Sequence, residues 1–207
     1  NVKALKVTFT YAFMTVPLKL IFALFVAYLL TQGRRGVTFY RSLYYVPSLI
    51  GGSIAVALVW KTIFSRKGLA NTILASLGLQ KLSWLGDPKL SMGILVLMSA
   101  WQFGSSMIIF AAGLKEIPGS YYEAAEIDGA NKWQRFLSIT LPCLSPIILY
   151  NLVMQTITAF MAFTQAFVIT QGGPNDATNF YALYVYNHAF KWSNMGYASA
   201  MSWLMLV

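Results

Sequence analysis

Apolar residues are gathered into long blocks along this chain, and short polar stretches separate the blocks. A helix needs about 20 residues to cross about 30 Å of hydrocarbon, and several blocks reach that length. The pattern therefore predicts an all-α, polytopic membrane bundle of about five transmembrane helices, the last of them cut short by the end of the sequence. The predicted spans are residues 7–30, 46–64, 91–114, 143–170 and 195–207.

Composition supports lipid as the main surroundings of the chain. Hydrophobic residues make up 57% of it and charged residues 10%, whereas soluble domains carry about 25% charged residues. The net charge is +9, but the basic residues are scattered between apolar blocks, and the pair Arg34 and Arg35 directly follows the first block. Such residues are typical of membrane flanks and form no stripe that would track phosphates, so nucleic acid is not an expected partner.

The single cysteine and the two chain ends give little information about function. Cys143 is the only cysteine, which rules out an internal disulfide and a CxxC zinc site, and no metal ligands are expected. The chain begins at Asn1 without an initiator methionine and stops at Val207 inside an apolar run, so we expect both ends to be cuts through a longer protein. The single histidine, His188, lies in a predicted loop without an acidic neighbour and is interpreted as a surface or packing residue.

Three features stand out inside the first two blocks. Pro17 is expected to kink the first helix, because it removes a backbone donor. Lys19 either faces the protein interior or snorkels, or it is a charge that lines a pathway. The small residues at 51–53 are expected to let the second helix approach its neighbours closely inside the bundle.

Two loops are predicted outside the hydrocarbon. Residues 65–90 are polar and predict a loop with one short interfacial helix. Residues 171–194 open with a Gly-Gly-Pro turn that is expected to stop the fourth helix. Because successive loops alternate across the membrane, the loops near Arg34 and Glu123 share a face, but basic residues lie on both sides and give only a slight preference for which face is cytoplasmic.

The polar stretch 115–142 carries four of the six acidic residues. Ser120 and Glu123 have the spacing of a capping box, and Gly129 suits the left-handed position that closes a helix, which predicts about two turns between them. Asn131 is expected to cap a second surface helix, which ends where Leu141-Pro142 turns the chain toward the membrane.

The first of these surface helices is too short to be stable alone, so we expect it to dock against something. Ala125 and Gly129 lie four residues apart with Tyr122 one turn earlier, which predicts a face of little bulk flanked by an aromatic ring. Such a face would suit a cleft on another protein.

The run EAAEIDGANKWQRFLSITLP resembles the EAA signature of permease subunits in binding-protein-dependent ABC importers of MetI-like fold. The surrounding AGLKEIPGSYYEAA, QGGPNDAT and MGYASAMSW resemble the carbohydrate branch, the maltose and glycerol-3-phosphate type permeases. The resemblance implies that loop 115–142 is cytoplasmic and forms the coupling helix that sits in a cleft of the ATPase subunit.

Glu123 alone is also open to a simpler interpretation, in which it only caps its helix. The coupling positions implied are Tyr122, Glu123, Ala124, Ala125, Asp128, Gly129 and Pro142.

The resemblance also implies an assembly. Its members would be a second homologous permease, two ATP-binding ATPase subunits and an extracytoplasmic solute-binding protein that delivers a carbohydrate, in the cytoplasmic (inner) membrane of a prokaryote. The sequence shows no catalytic set and no phosphate-binding loop, so this chain is expected to be a transporter subunit rather than an enzyme. ATP and Mg would be used by the partner ATPase subunits, and no cofactor is expected on this chain.

Polar residues inside two spans suggest a solute pathway. At 3.6 residues per turn, one face of the fourth helix and one face of the third would each carry a polar stripe. These stripes are Gln155, Thr158, Ala162 and Gln165 on the fourth helix and Ser99, Gln102 and Ser106 on the third. Such groups either contact a sugar or join helices by hydrogen bonds.

Resemblance to maltose-type permeases implies that the solute is contacted from these two helices. Ala159 and Ala162 replace asparagines of that pattern, which argues against maltose itself as the solute. The pathway candidates are Gln102, Phe103, Ser106, Gln155, Thr158, Ala159, Ala162 and Gln165.

Two other function classes compete with import. A secondary transporter driven by an ion gradient would usually carry acidic residues within its spans, and none lies there. A membrane scaffold without transport would explain the surface helix but has no use for polar stripes in two spans.

Overall fold

The structure is a computed structural model that describes residues 2–31 and 37–206, so Arg34 and Arg35 lie outside the described residues. The described chain is built from helices, turns and loops, which confirms the predicted all-α class. The helices are α1 (Val2–Thr31), α2 (Val37–Ile50), α3 (Ile54–Ile63), α4 (Leu69–Ser76), α5 (Pro88–Trp101), α6 (Gly104–Glu116), α7 (Gly119–Ile127), α8 (Lys132–Arg135), α9 (Leu141–Phe160), α10 (Tyr181–Tyr186) and α11 (Met195–Leu206).

Two helices of the described chain are long and apolar enough to cross a membrane: Val2–Thr31 and Lys132–Phe160. Two further pairs of helices, each interrupted by a short break, would raise the number of spans to four. α1 continues through Pro17, so this proline does not end the helix. The twelve residues of α11 are too few to cross hydrocarbon by themselves.

The predicted single helix over residues 46–64 is wrong. α2 ends at Ile50 and α3 begins only at Ile54, because the small residues at 51–53 end one helix instead of packing inside it. Ser53 caps the new helix, since its Oγ accepts a hydrogen bond from the Val56 amide at 3.3 Å.

The third predicted span is also interrupted, because α5 ends at Trp101 and α6 begins at Gly104. A side chain at residue 104 would collide with the backbone carbonyl of Tyr44. Glycine is therefore required where these two backbones meet.

The predicted turn at Leu141-Pro142 is wrong, because Lys132–Phe160 forms one continuous helix. A wide, π-type turn, Phe136–Thr140, joins α8 to α9 without a break, and Pro142 sits in the first turn of α9. The fourth span thus starts earlier than residue 143 and ends at Phe160. A further wide turn, Ala166–Thr170, ends at left-handed Gln171, directly before the Gly-Gly-Pro turn.

The chain divides into two compact units. The first comprises Asn1–Thr15, Ile50–Ser99 and Ile157–Val207, and its buried centre contains Ala4, Tyr181 and Met201. There the Tyr181 amide donates to the Thr8 hydroxyl at 2.8 Å, which ties α10 to α1.

Loop 65–90 in this unit contains the single short helix that the sequence predicts, α4. Asn71 on α4 is buried and organises the loop through four hydrogen bonds. Its amide nitrogen donates to the Arg66 and Leu82 carbonyls, and its oxygen accepts from the Leu82 amide and the Trp84 indole.

The second unit comprises Val16–Leu49 and Ala100–Thr156. Aromatic pairs join its helices, with ring centroids 4.8 Å apart for Phe22 and Phe103 and 5.4 Å apart for Tyr28 and Phe136. The second unit therefore contains the whole of loop 115–142 together with the helices that hold it.

Candidate functional site

The surface helix α7 begins two residues earlier than the capping-box pattern predicts. Pro118 is its N-cap, with no side-chain cap, and Gly119 is its first residue. The predicted capping box of Ser120 and Glu123 is therefore wrong, because both residues already lie inside the helix. Glu123 is exposed, so its carboxylate is available to a partner instead of being used at the helix start.

The C-terminus of α7 is closed by Gly129, as the sequence predicts. Gly129 has φ +75°, and its amide donates to the Glu126 carbonyl at 3.1 Å. The Ala130 amide donates to the Ala125 carbonyl at 2.9 Å, which completes a Schellman motif. A side chain at residue 129 would meet no atom of this chain within 4 Å, so the surface around Gly129 is open.

The predicted cap of the next helix is confirmed. The Asn131 side chain accepts from the Gln134 amide at 2.9 Å, and the Gln134 side chain accepts from the Asn131 amide at 2.8 Å. This reciprocal pair satisfies two donors that would otherwise lack a helical partner. The chain is thereby turned from α7 directly into the long helix that starts at Lys132.

Two side-chain contacts hold α7 against that long helix. The hydroxyl oxygens of Tyr122 and Thr140 are 2.8 Å apart, and Thr140 is buried. Arg135 Nη1 lies 3.2 Å from a carboxylate oxygen of Glu126, and the Arg135 side chain is only 18% exposed. Tyr122 is therefore half-buried against the long helix, and its expected place beside a docking face stays a prediction.

The outward face of α7 is formed by other residues. Ile127 is 88% exposed and Tyr121 is 52% exposed, and Ala124 lies exposed midway between them along the helix. Positions 121, 124 and 127 recur every three residues and so form one ridge on the helix surface. The prediction from small residues missed Tyr121 and Ile127, although the spacing of the apolar residues in the sequence would have found them.

Glu123 on α7 and Asp128 at its C-cap are exposed as well. We call Tyr121, Glu123, Ala124, Ile127, Asp128 and Gly129 the coupling surface. The side chains of Tyr121 and Ile127 leave apolar surface on the outside of α7, and this surface is available for contact with another molecule.

The candidate pathway residues of the third block lie at the break between α5 and α6. Gln102 and Phe103 occupy the break itself, and Ser106 lies in the first turn of α6. Phe103 is buried and packs edge-on against Phe22. Ser106 is fully buried, and its Oγ finds no hydrogen-bond partner within the part of the chain that the structure describes.

The predicted polar stripes do not survive intact. Gln155, Thr158 and Ala159 belong to α9, but α9 ends at Phe160, so Ala162 and Gln165 do not continue its face. The break at 102–103 likewise removes residue 99 from the helical face that carries residue 106. In both cases a helix ends inside the apolar block. The assignment of residues to one face assumed an unbroken helix with 3.6 residues per turn, so it could not predict these ends.

His188 lies among aromatic rings, with centroids 4.5 Å from Tyr184, 4.6 Å from Trp192 and 4.9 Å from Tyr197. This confirms its interpretation as a packing residue.

Two helices of the described chain are long and apolar enough to cross a membrane, and the short helix α7 carries exposed apolar residues. The chain belongs to the family of binding-protein-dependent transport system inner membrane components, whose model matches residues 2–207. It is thus a membrane component of an ABC transporter and not an enzyme.

Relatives and solved structures agree with this family. The chain is 55% identical to a probable ABC transporter permease protein, YesP, of Bacillus subtilis, over 99% of this chain and 67% of the relative. It is 35% identical to the trehalose/maltose transport system permease protein MalF of Thermococcus litoralis, over 97% of this chain and 68% of the relative. The chain spans about two thirds of the length of these relatives.

The fold is also similar to that of a bacterial ABC transporter involved in the import of the acidic polysaccharide alginate. That structure matches with a TM-score of 0.87 and 23% identity, over 98% of this chain and 72% of the solved chain. The likeness supports the MetI-like fold.

Proposed function

We propose that this chain is the permease subunit of an importer that moves a saccharide or a related polar solute across the cytoplasmic membrane. The observation that carries the proposal is the coupling surface, in which Ile127 is exposed on a helix that is itself fastened to a membrane span. Relatives named for trehalose/maltose, arabinooligosaccharide and lactose transport support a saccharide as the solute class.

The coupling surface suits a cleft on an ATPase subunit for two physical reasons. Its ridge offers apolar area for burial, and its flanking carboxylates offer hydrogen bonds to a partner. Gly129 has no side chain and the space around it is open, so a partner backbone can approach the end of α7 closely. In this proposal the outward positions Glu123, Ala124, Asp128 and Gly129 keep their coupling role. The remaining coupling candidates are Tyr122, Ala125 and Pro142, of which Tyr122 holds α7 to the long helix through Thr140.

The assembly we propose contains a second homologous permease, two ATPase subunits and an extracytoplasmic binding protein. A solved alginate transporter is bound to a periplasmic protein that carries an alginate pentasaccharide, which supports delivery by such a protein. ATP and Mg are bound by the ATPase subunits. The orientation follows from the docking partner, because ATPase subunits work in the cytoplasm and the coupling surface must face them.

The proposed solute pathway runs past amide, hydroxyl and aromatic groups of the third and fourth blocks. Such groups suit a sugar, whose hydroxyls need hydrogen-bond partners and whose ring faces pack on aromatic rings. An ion-driven mechanism is disfavoured, since no acidic residue lies inside a span: Glu116 ends α6, and the other five lie in α7 or in loops. The pathway residues are Gln102, Phe103, Ser106, Gln155, Thr158, Ala159, Ala162 and Gln165.

Site-directed crosslinking tests the coupling assignment. Ile127→Cys is made in a Cys143→Ser background, because Cys143 is exposed and would react as well. In the assembled complex, a short thiol crosslinker should join residue 127 to the ATPase subunit. Leu77→Cys, equally apolar and exposed at the end of α4, is the matched control and should give no such product.

Reconstitution in proteoliposomes provides the second half of the test. The complex should hydrolyse ATP faster when the binding protein carries its saccharide, and the saccharide should accumulate inside. The import mechanism would be contradicted if residue 127 did not crosslink to the ATPase subunit. It would also be contradicted if the loaded binding protein did not change the rate of ATP hydrolysis.

A further inference from the structure

Lys19 lies deep inside the first span. It is 7% exposed, and at 1.5 Å per residue it sits about 25 Å from Val2 and about 18 Å from Thr31 along α1. Other parts of this chain therefore cover the Lys19 side chain, which agrees with the interpretation in which Lys19 faces the protein interior.

This chain supplies no carboxylate to pair with Lys19. All six acidic residues lie at helix ends, in α7 or in loops, and the two ion pairs of the described residues are formed by Lys3 and Arg135. An ammonium group buried in hydrocarbon without a counter-charge costs several kcal/mol. A counter-charge from outside the chain would remove that cost.

Contacts within the second unit show what the Lys19 face of α1 packs against. Phe22, one turn after Lys19 on the same face, lies 4.8 Å from Phe103 at the break between α5 and α6. Ser106, one turn beyond Phe103, holds a buried hydroxyl without a partner in the described chain. Lys19 and the unpartnered hydroxyl of Ser106 are thus carried by helices that meet through Phe22 and Phe103.

We propose that Lys19 binds the anionic group of the transported solute, a carboxylate or phosphate on a saccharide. The inference rests on the proposed import function and narrows it to acidic sugars. The ammonium group supplies the counter-charge, the Ser106 hydroxyl offers a hydrogen bond, and the exposed ring of Phe22 offers aromatic surface to a sugar ring. A solute that binds and leaves fits this site better than a fixed partner, because this chain offers the ammonium group no carboxylate and the Ser106 hydroxyl has no partner among the described residues.

The test uses the complete transporter in proteoliposomes with three probes: a uronate disaccharide, a hexose phosphate and a neutral disaccharide. Uptake of each is measured for the native complex and for Lys19→Gln and Lys19→Arg. Lys6→Gln, an exposed lysine on the same helix, is the matched control. Binding of the three probes by the isolated binding protein is measured in parallel.

We expect the native complex to import one of the two anionic probes, and which one it imports distinguishes a carboxylate from a phosphate. Lys19→Gln should reduce that uptake at least tenfold without reducing uptake of the neutral probe, whereas Lys19→Arg and Lys6→Gln should retain most of it. Lys6→Gln should also leave basal ATP hydrolysis unchanged.

Three results would overturn the assignment while import itself stands. These are a native complex and binding protein that accept only the neutral probe, an equal loss of neutral and anionic uptake in Lys19→Gln, and failure of Lys19→Gln to assemble with the second permease. The last result would place the counter-charge on that subunit. Absence of any saccharide-stimulated ATP hydrolysis would instead remove the import proposal, and this inference with it.

Discussion

The hydroxyl oxygens of Tyr122 and Thr140 lie 2.8 Å apart, which joins α7 to the span that follows it. Thr140 is buried and ends the wide turn between α8 and α9, so the contact ties α7 to the long helix within the second unit. In the proposed import mechanism, a movement of α7 would reach this span through the side-chain contact as well as through the intervening loop.

Tyr122→Phe should remove the hydrogen bond to Thr140 while keeping the packing of the aromatic ring. A hydrogen bond of this kind contributes about 1 kcal/mol, and the buried hydroxyl of Thr140 is left without its partner. We expect a lower melting temperature and a smaller stimulation of ATP hydrolysis by the loaded binding protein. Thr140→Val is the reciprocal change, and a double variant that loses no more than either single one would confirm the pair. Additive losses would contradict it.

Gly129→Val should uncouple the permease from ATP hydrolysis. Valine is unfavourable at φ +75°, and its branched side chain would project into the space that a partner occupies. Gly78→Val provides the control, since Gly78 closes α4 with φ +73° and is equally open. Both variants should lose similar thermal stability, but only the change at Gly129 should abolish stimulated ATP hydrolysis. Equal activity of the two would count against the coupling surface.

Ile127→Asp should weaken binding of the ATPase subunit. The substitution places a charge where the ridge is expected to enter an apolar pocket, a loss of about 2 kcal/mol or more if the residue is a hot spot. Co-purification of the ATPase in detergent measures the effect, and Leu77→Asp, also at an exposed apolar position, controls for the charge itself. The same ATPase yield from both variants would exclude Ile127 from the interface.

Asn71→Leu should destabilise the loop between α3 and α5. The substitution keeps the volume but leaves the Leu82 amide and the Trp84 indole without their acceptor, which costs about 1–3 kcal/mol for each group that stays buried. Limited proteolysis should cut residues 65–90 faster in the variant. Thr72→Val, at the exposed neighbouring position, is the control that should leave the loop intact. Equal rates of cleavage in the two variants would show that Asn71 does not hold the loop together.

Ser106→Ala should show whether the Ser106 hydroxyl stabilises the fold or binds the solute. The Ser106 Oγ is buried and finds no partner in the described chain, so its removal should not lower the melting temperature. If the hydroxyl binds solute, uptake should fall severalfold while assembly is unchanged. Loss of stability with normal uptake would favour the alternative in which Ser106 joins helices.

The sequence predicts the class of fold well because a membrane span needs only length and apolarity, and both are visible residue by residue. It also predicts the closure of α7 by Gly129 and the cap formed by Asn131 and Gln134, since these depend on neighbours three or four positions away. The start of α7 is predicted less well. Pro118 ends one segment and begins the next, and a capping pattern at Ser120 is satisfied by spacing alone.

The breaks inside the predicted spans are harder to infer. The interruption at 102–103 depends on the close approach of the Tyr44 backbone to Gly104, which is a contact distant in sequence. The continuity of Lys132–Phe160 through its proline at 142 depends on the wide turn before it, and hydropathy carries no signal for such a turn. The prediction that Ala162 and Gln165 continue the polar face of α9 failed for a related reason, since it assumed unbroken helices.

The unbroken helix from Lys132 to Phe160 has a mechanical consequence. Its 29 residues extend over about 44 Å, so a tilt of about 5° about one end displaces the other by about 4 Å. In the proposed import mechanism, a tilt of a few degrees imposed at the end near Lys132 would therefore displace the end near Phe160 by more than the diameter of a water molecule.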